Sequence, residues 1–514
     1  PNAELDSVWI EGRHFPLADP ASTTKDDKAE KKVTVPVAPR IASAPMHGRG
    51  PLTEPAITRL ANATIWTSGP GGVLTNADLL VSAEGKILAV GHDVFSRVSV
   101  PREPVEIDAT GLHITAGLID AHNHSYILGS VNEATLPSTA MVRVADVVNS
   151  ESLQIYEQLA GGLTTANLLH GSANPIGGQN AVVKLRWGAG PEEMLFAGAP
   201  GGIKFALGEN VKQSNRTGAN TRFPQSRMGV PVFMANRFTA AQQYLEAWRR
   251  FEAGQGPKPR RDLELEAIGE ILRGERLVHC HSYRQDEILI FLRTMESFGV
   301  KVATLQHILE GYKVADEIAA HGAGASAFSD WWAYKYEVVD AIPYAGTIMH
   351  DRGVVVSFNS DSSDQARRLN LEAAKAVKYG GVGEAEALKF VTLNPAKQLG
   401  IGDRVGSLEP GKDADFVVWS GHPFAPATAC LQTWIDGRKY FDRTVEEERA
   451  GRLRTERETL LAAAKKSAGG KKDEPGDEKK AEAARARFFQ RALEHMRQHA
   501  YSCCEQHEAL LLQP

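Results

Sequence analysis

The sequence predicts a (β/α)8 TIM-type barrel carrying a small β-sandwich formed from the segments on either side of it. Three observations predict it. Short apolar strands and amphipathic helices alternate through the middle of the chain at the spacing of βα units. Strand-and-turn patterns occur on both flanks of that region, and several central strands end in histidine or aspartate. The length of 514 residues suits one large barrel with appendages better than one small domain.

The barrel is expected over residues 113–403. Its candidate strands are 114–120, 164–169, 202–207, 277–280, 303–306, 325–328 and 354–358, with 181–186 as the eighth. Helical periodicity is clear over 240–252, 263–273 and 287–298. The sandwich is expected from 57–112 together with 404–443, where Ala61-Asn62-Ala63-Thr64-Ile65-Trp66 and Ala414-Asp415-Phe416-Val417-Val418-Trp419 are matching β patterns. Residues 444–514 read as a charged helical extension whose end, with Phe488, Phe489 and Leu493, offers an apolar face to a partner. Residues 18–56 read as a linker, because so Pro-, Ala- and charge-rich a stretch cannot bury enough apolar surface to fold alone. Ahead of it, Trp9-Ile10-Glu11-Gly12-Arg13 nearly repeats Trp434-Ile435-Asp436-Gly437-Arg438. Residues 1–17 are therefore expected to be the tail of an upstream, similar module.

Composition narrows the class. Apolar residues make up 42% of the chain, enough for a large core. The net charge of −5 gives no electrostatic footprint for nucleic acid. No run approaches the roughly 20 apolar residues of a membrane span. Cys280, Cys430, Cys503 and Cys504 show neither zinc-finger nor redox spacing. The first residues carry neither an initiator Met nor a signal-like apolar run, so the compartment is not read from them. The expected partner is a small-molecule substrate; association with an upstream similar module or as a homo-oligomer is left open.

The chemistry is concentrated at strand ends. In Gly117-Leu118-Ile119-Asp120-Ala121-His122-Asn123-His124 an apolar strand ends in two histidines two residues apart, so both imidazoles project to one side. Convergent nitrogen donors of this kind suit a divalent transition metal. Leu277-Val278-His279-Cys280-His281 and Ala303-Thr304-Leu305-Gln306-His307 are further apolar strands ending in histidine. Val354-Val355-Val356-Ser357-Phe358-Asn359-Ser360-Asp361 ends in an acid. One strand-end histidine is ordinarily structural, but four histidines and an aspartate on successive strand ends have no explanation in stability. On a barrel such ends gather on the face where active sites form.

This pattern resembles the amidohydrolase superfamily, particularly its imidazolonepropionase- and prolidase-like members. The resemblance covers about residues 57–443 and includes Gly406-Ser407-Leu408-Glu409-Pro410-Gly411-Lys412-Asp413-Ala414-Asp415, which is similar to the family's return strand. It implies His122, His124, His281 and His307 as ligands of one or two divalent ions, most simply Zn2+, with Asp361 as both ligand and proton acceptor. His279 is a rival to His281. The latter is preferred because it lies nearer the strand end, before a loop, Ser282-Tyr283-Arg284-Gln285-Asp286, similar to the family's. For the bridging position Gly202-Ile203-Lys204-Phe205-Ala206-Leu207-Gly208-Glu209 offers two groups. Glu209, just past the strand, is favoured over a carboxylated Lys204 inside it.

The implied reaction is hydrolysis of an amide, peptide-like or cyclic amide C–N bond by hydroxide held on the metal, with Asp361 as general base and acid. His170, Tyr283, Arg284, Asp330 and Trp331 lie on strand-end loops and are candidate substrate contacts. Two other readings fit the same residues: a deaminase of an aminated heterocycle, and a barrel kept as a non-catalytic scaffold. Fold and superfamily alone do not select the substrate.

Overall fold

The computed structural model describes residues 7–10, 13–16, 55–212, 221–328 and 335–468, together with Arg487 and Gln490. Asp330, Trp331, Phe488, Phe489, Leu493, Cys503, Cys504 and most of the linker lie outside the described residues. The chain divides into two units. One comprises Pro1–Ser43, Glu447–Tyr501 and Leu511–Pro514, the other Ala44–Glu446 and Ser502–Leu510. In the first, β1 (Ser7–Ile10) and β2 (Arg13–Pro16) pair antiparallel as a sheet of their own. The charge-rich helix Arg443–Ala468, mostly exposed over residues 443–462, runs across the boundary in the sequence.

The second unit holds two sheets. Strands from both flanks make one of them: β3 (Thr58–Trp66), β4 (Val73–Val81), β5 (Ile87–Gly91), β6 (Val105–Asp108) and β7 (His113–Ala116) from one side. The eight strands of the barrel intervene in the chain. From the other side come β16 (Phe416–Trp419), β17 (Cys430–Ile435) and β18 (Arg438–Asp442). β16 joins the halves, pairing antiparallel with both β7 and β17. β3 lies parallel to β6 along its first half and to β7 along its second, with Asn62 at φ 64° between them. Leu60, Ile65, Leu79, Ile114, Phe416 and Val418 are buried together on this sheet.

The other sheet is a nearly closed barrel of eight strands in sequence order. They are β8 (Leu118–Asn123), β9 (Leu163–Leu168), β10 (Ile176–Lys184), β11 (Gly201–Ala206), β12 (Arg276–Ser282), β13 (Val302–His307), β14 (Gly324–Ala327) and β15 (Val356–Phe358). Between β15 and β8 the segment Phe390–Val391 bridges the seam: Phe358 N–H donates to Phe390 O, and Ile119 N–H to Val391 O. Helices Gly229–Glu252, Leu263–Leu272 and Gln285–Ser297 cover the expected helical segments to within one residue.

Three features depart from the sequence-based expectation. The strand expected over 114–120 is two strands in two sheets, β7 and β8. They meet at Gly117, whose N–H donates to Asp415 O and where a Cβ would run into the Thr164 side chain. The eighth strand starts at Ile176 rather than residue 181, taking in Gly177 and Gly178, which look like turn formers in sequence. It also runs antiparallel to both neighbours, whereas the other adjacent barrel pairs are parallel. The cause is the short link between β9 and β10, which spans only 169–175. A parallel crossover needs about a dozen residues or more, so a direct return is what so short a link allows.

Candidate metal centre

β8 delivers His122 and, one residue past its end, His124 on the same side, as the two-residue period requires. On β11 the alternation is fixed by Phe205, which packs outward against Phe238 and Phe291 of the surrounding helices. Its neighbour Lys204 therefore points inward, fully buried, with Nζ 3.0 Å from His122 Nε2. The ends of β12 and β13 carry His281 and His307, with ring centroids 4.8 Å apart, and His307 lies 4.5 Å from His122. Just past β15, Asp361 Oδ1 sits 3.4 Å from His124 Nε2 and 3.6 Å from His122 Nε2, while Oδ2 is 3.7 Å from His307 Nε2. All six groups are buried.

Hydrogen bonds fix which nitrogen each ring presents. His124 Nδ1 is 2.8 Å from Leu169 O, a carbonyl that only accepts, so Nδ1 carries the proton and Nε2 a lone pair. His122 Nδ1 lies 3.1 Å from Gln306 Oε1, and the Gln306 amide group donates onward to Ala121 O, which gives His122 the same tautomer. Two Nε2 lone pairs thus face one another at 3.1 Å, beside a carboxylate. Neither can donate to the other; Lys204 Nζ can serve the His122 lone pair, while the His124 lone pair beside Asp361 is left for a cation. His122, His124 and Asp361 place one donor atom each within 4.8 Å of one another.

Among the described residues, both ring nitrogens of His281 and of His307 make no hydrogen bond although buried, a costly state for imidazole unless a ligand supplies the partner. Burial, reinforced by Lys204 and neighbouring histidines, pushes His122 and His307 well below the ordinary imidazole pKa; His281 shifts the same way. Neutral histidines with unused lone pairs are what a divalent ion requires, and the donor set fits one. His307 at φ 67°, Ile308 at φ 44° and Asp361 at φ 43° hold left-handed backbone that favours glycine. Such conformations persist where surrounding structure over-determines them, and they aim both side chains inward.

Behind these groups lies a positioning network. Asp120 Oδ1 accepts from His122 N (3.2 Å) and Ser360 N (3.1 Å), and its Oδ2 accepts from Ser360 Oγ (2.6 Å) and Asn123 Nδ2 (3.0 Å). One carboxylate thereby ties the end of β8 to the loop that carries Asp361.

The remaining sequence candidates are distributed as follows. Glu209 opens the short helix Glu209–Lys212, half-buried, with its backbone N–H donating to Glu337; its carboxylate is not in the cluster. His279 is buried beside Lys204 in the strand register and pushed down to about 3 by burial and the lysine's charge. Tyr283 is buried, edge-on to His281 at 4.4 Å and under Lys335 Nζ at 4.6 Å. Both nitrogens of His170 are engaged, with Gly171 O and with the N–H of Glu133, so this histidine braces a loop. Arg284 pairs with Asp286 at 3.0 Å on the surface. Sequence reasoning overlooked Gln306, Asp120 and Lys335, whose charge also bears on His281 and His307. Asp120 had a signal, because it shares the parity of the two histidines.

Comparison with known proteins agrees with this geometry. Residues 276–442 match the amidohydrolase family. An amidohydrolase of Hapsidospora irregularis, tasK, is 30% identical over 453 residues, 79% of this chain, though the chain spans only 45% of that protein's length. An imidazolonepropionase of Solibacter usitatus is 26% identical over 72% of this chain and 88% of its own. The crystal structure of an amidohydrolase from Thermotoga maritima is matched over its full length and 75% of this chain, at 32% identity and a TM-score of 0.69. With a barrel, a strand-end donor set and a relative covered from end to end, the chain belongs to the amidohydrolase family.

Proposed function

We propose that the protein is a metal-dependent hydrolase of an amide, peptide-like or cyclic amide C–N bond. His122, His124, His281, His307 and Asp361 would hold one or two divalent ions, and zinc suits this nitrogen-rich set. The observation that carries the reading is the pair of Nε2 lone pairs held 3.1 Å apart beside Asp361. For the bridging position we replace Glu209 with Lys204. Its Nζ lies 3.0 Å from His122 Nε2, and carboxylation of the amine by CO2, with loss of a proton, would turn an unfavourable buried cation into an anionic donor.

When bound, the ion supplies Lewis acidity, which activates water and polarises a carbonyl. Asp361 then accepts a proton at its carboxylate and returns it to the departing nitrogen. Gln306 and Leu169 O hold the rings in the ligating tautomer. Tyr283 and Phe328, packed on His281 and His307, exclude water from the inner side of the site. The sheet that flanks the barrel is read as the small sandwich expected from sequence, closed around Leu60, Ile65 and Phe416.

The test is a panel of dipeptides, N-acyl amino acids, cyclic amides and aminated heterocycles assayed with metal-loaded protein. C–N cleavage of an amide that disappears in His122→Ala is expected. Ammonia release from heterocycles alone, or turnover untouched by His122→Ala, would overturn the reading.

A further inference from the structure

Two stretches of the chain carry one ten-residue pattern. Residues 7–16 read Ser-Val-Trp-Ile-Glu-Gly-Arg-His-Phe-Pro, and residues 432–441 read Gln-Thr-Trp-Ile-Asp-Gly-Arg-Lys-Tyr-Phe. Trp, Ile, Gly and Arg recur at the same offsets, with an acid and an aromatic residue also matched. The backbone pairing coincides next to the turn and departs beyond it, where Val8 faces Phe15 but Thr433 faces Phe441. Ile10 pairs with Arg13 and Trp9 with His14 in the first hairpin; Ile435 pairs with Arg438 and Trp434 with Lys439 in the second.

In the second copy the shared residues have identifiable tasks. Trp434 stacks on Phe416 of the neighbouring strand, with ring centroids 5.2 Å apart and planes at 15°. Ile435 is fully buried. Asp436 accepts from Lys184 Nζ at 2.5 Å and from Arg186 Nε at 2.8 Å. Gly437 takes φ 69° against the backbone of Gly85. An ordinary hairpin needs only the turn residues. In this chain the Trp-Ile-acid-Gly-Arg order instead closes the composite sheet against β16 and a buried barrel lysine.

β1 and β2 have that equipment but form a two-stranded sheet of their own, an arrangement marginal in water by itself. The composite sheet of this chain already has β17 and β18 in the closing place. We infer that β1–β2 is the closing hairpin of a second amidohydrolase-type module, preceding this one in the same polypeptide and joined to it by residues 18–56. Its partner is a sheet edge with a β16-like strand, an aromatic residue to stack on Trp9 and a buried cation to meet Glu11. The relative from Hapsidospora irregularis has room for two such modules, since the 453 residues matched are 45% of its length. This inference does not depend on the proposed reaction.

The spacing makes it specific. Asp413 and Asp415 precede Trp434 by 21 and 19 residues. The natural polypeptide is therefore expected to carry an Asp-x-Asp followed by an apolar strand about 19–21 residues before Trp9, preceded in turn by a barrel. The experiment is to sequence the natural protein upstream of Pro1, produce it whole, and compare amide hydrogen exchange of residues 7–16 with that in the 514-residue chain. Exchange at least about 100-fold slower in the longer protein is expected, lost again in Trp9→Ala. Absence of the Asp-x-Asp strand, or unchanged exchange in the longer protein, would overturn the inference. So would protection in the 514-residue chain that grows with its concentration, because the partner would then be a second copy.

Discussion

A carbonyl and a side-chain amide decide what His124 and His122 can be. Leu169 O and Gln306 Oε1 take the Nδ1 protons, and the two Nε2 atoms are left facing the barrel axis with Asp361. The histidines themselves were legible in the sequence because a strand-end position and a two-residue period are local facts. Gln306 was not, because it meets His122 across a separation of 184 residues that no spacing rule reaches. For Lys204, alternation with the outward Phe205 puts the side chain inside, whereas Glu209 was favoured mainly for its place just past the strand and because a carboxylate needs no modification to bind metal. Asp120 supplies the residue-scale prediction. Asp120→Asn sets an amide donor against Asn123 Nδ2 and loosens the tie to Ser360. Metal affinity is expected to fall about 10–100-fold while the circular dichroism spectrum is kept. Equilibrium dialysis against zinc measures it, and an unchanged affinity would mean that Asp120 only packs.

At the scale of elements, the alternation of strands and helices revealed the barrel and seven of its strands, and the flanking β patterns pointed to the segments on both sides of the barrel that build one sheet. What the alternation concealed were the places where chain direction changes. β10 was half hidden because Gly177 and Gly178 read as turn residues, and its direction is set by the length of a link rather than by its own composition. Gly117 was likewise read as part of one continuous strand. It marks the switch from the flanking sheet to the strand that carries the first two histidines. Gly117→Ala must displace Thr164, whose hydroxyl donates to Leu118 O. A loss of about 1–3 kcal/mol is expected, read as a lower urea midpoint at unchanged slope. A variant as stable as the parent would show that the crossing has slack.

At the scale of the whole second unit, barrel and flanking sheet are joined by a buried charge cluster. Lys184 of β10 reaches Asp413 at 2.8 Å, Asp415 at 3.0 Å and Asp436 at 2.5 Å, and Arg404 and Lys86 also reach Asp413. Removing the lysine leaves three carboxylates facing one another, so Lys184→Met is expected to cost about 3–5 kcal/mol at neutral pH. Burial raises the Asp413 pKa, but Lys184, Lys86 and Arg404 outweigh it and hold the carboxyl well below the usual range. Its stabilisation is therefore full above the unfolded value near 4 and is lost as pH falls below it. Asp415 is shifted upward by its complete burial, so its contribution has the opposite sign at mildly acidic pH. The gap in stability between parent and Lys184→Met is expected to narrow as pH drops from about 4 towards 2, by denaturant titration. A gap that stays constant would remove Asp413 from the explanation.

The most direct measurement of the metal centre is diffraction from the purified protein at the zinc absorption edge. An anomalous peak about 2.0–2.2 Å from His122 Nε2, His124 Nε2 and an Asp361 oxygen is expected, with extra density on Lys204 Nζ where a second peak accompanies it. A crystal grown in zinc that shows no peak at these atoms, or a peak held by Glu209 or His279 instead, would contradict it.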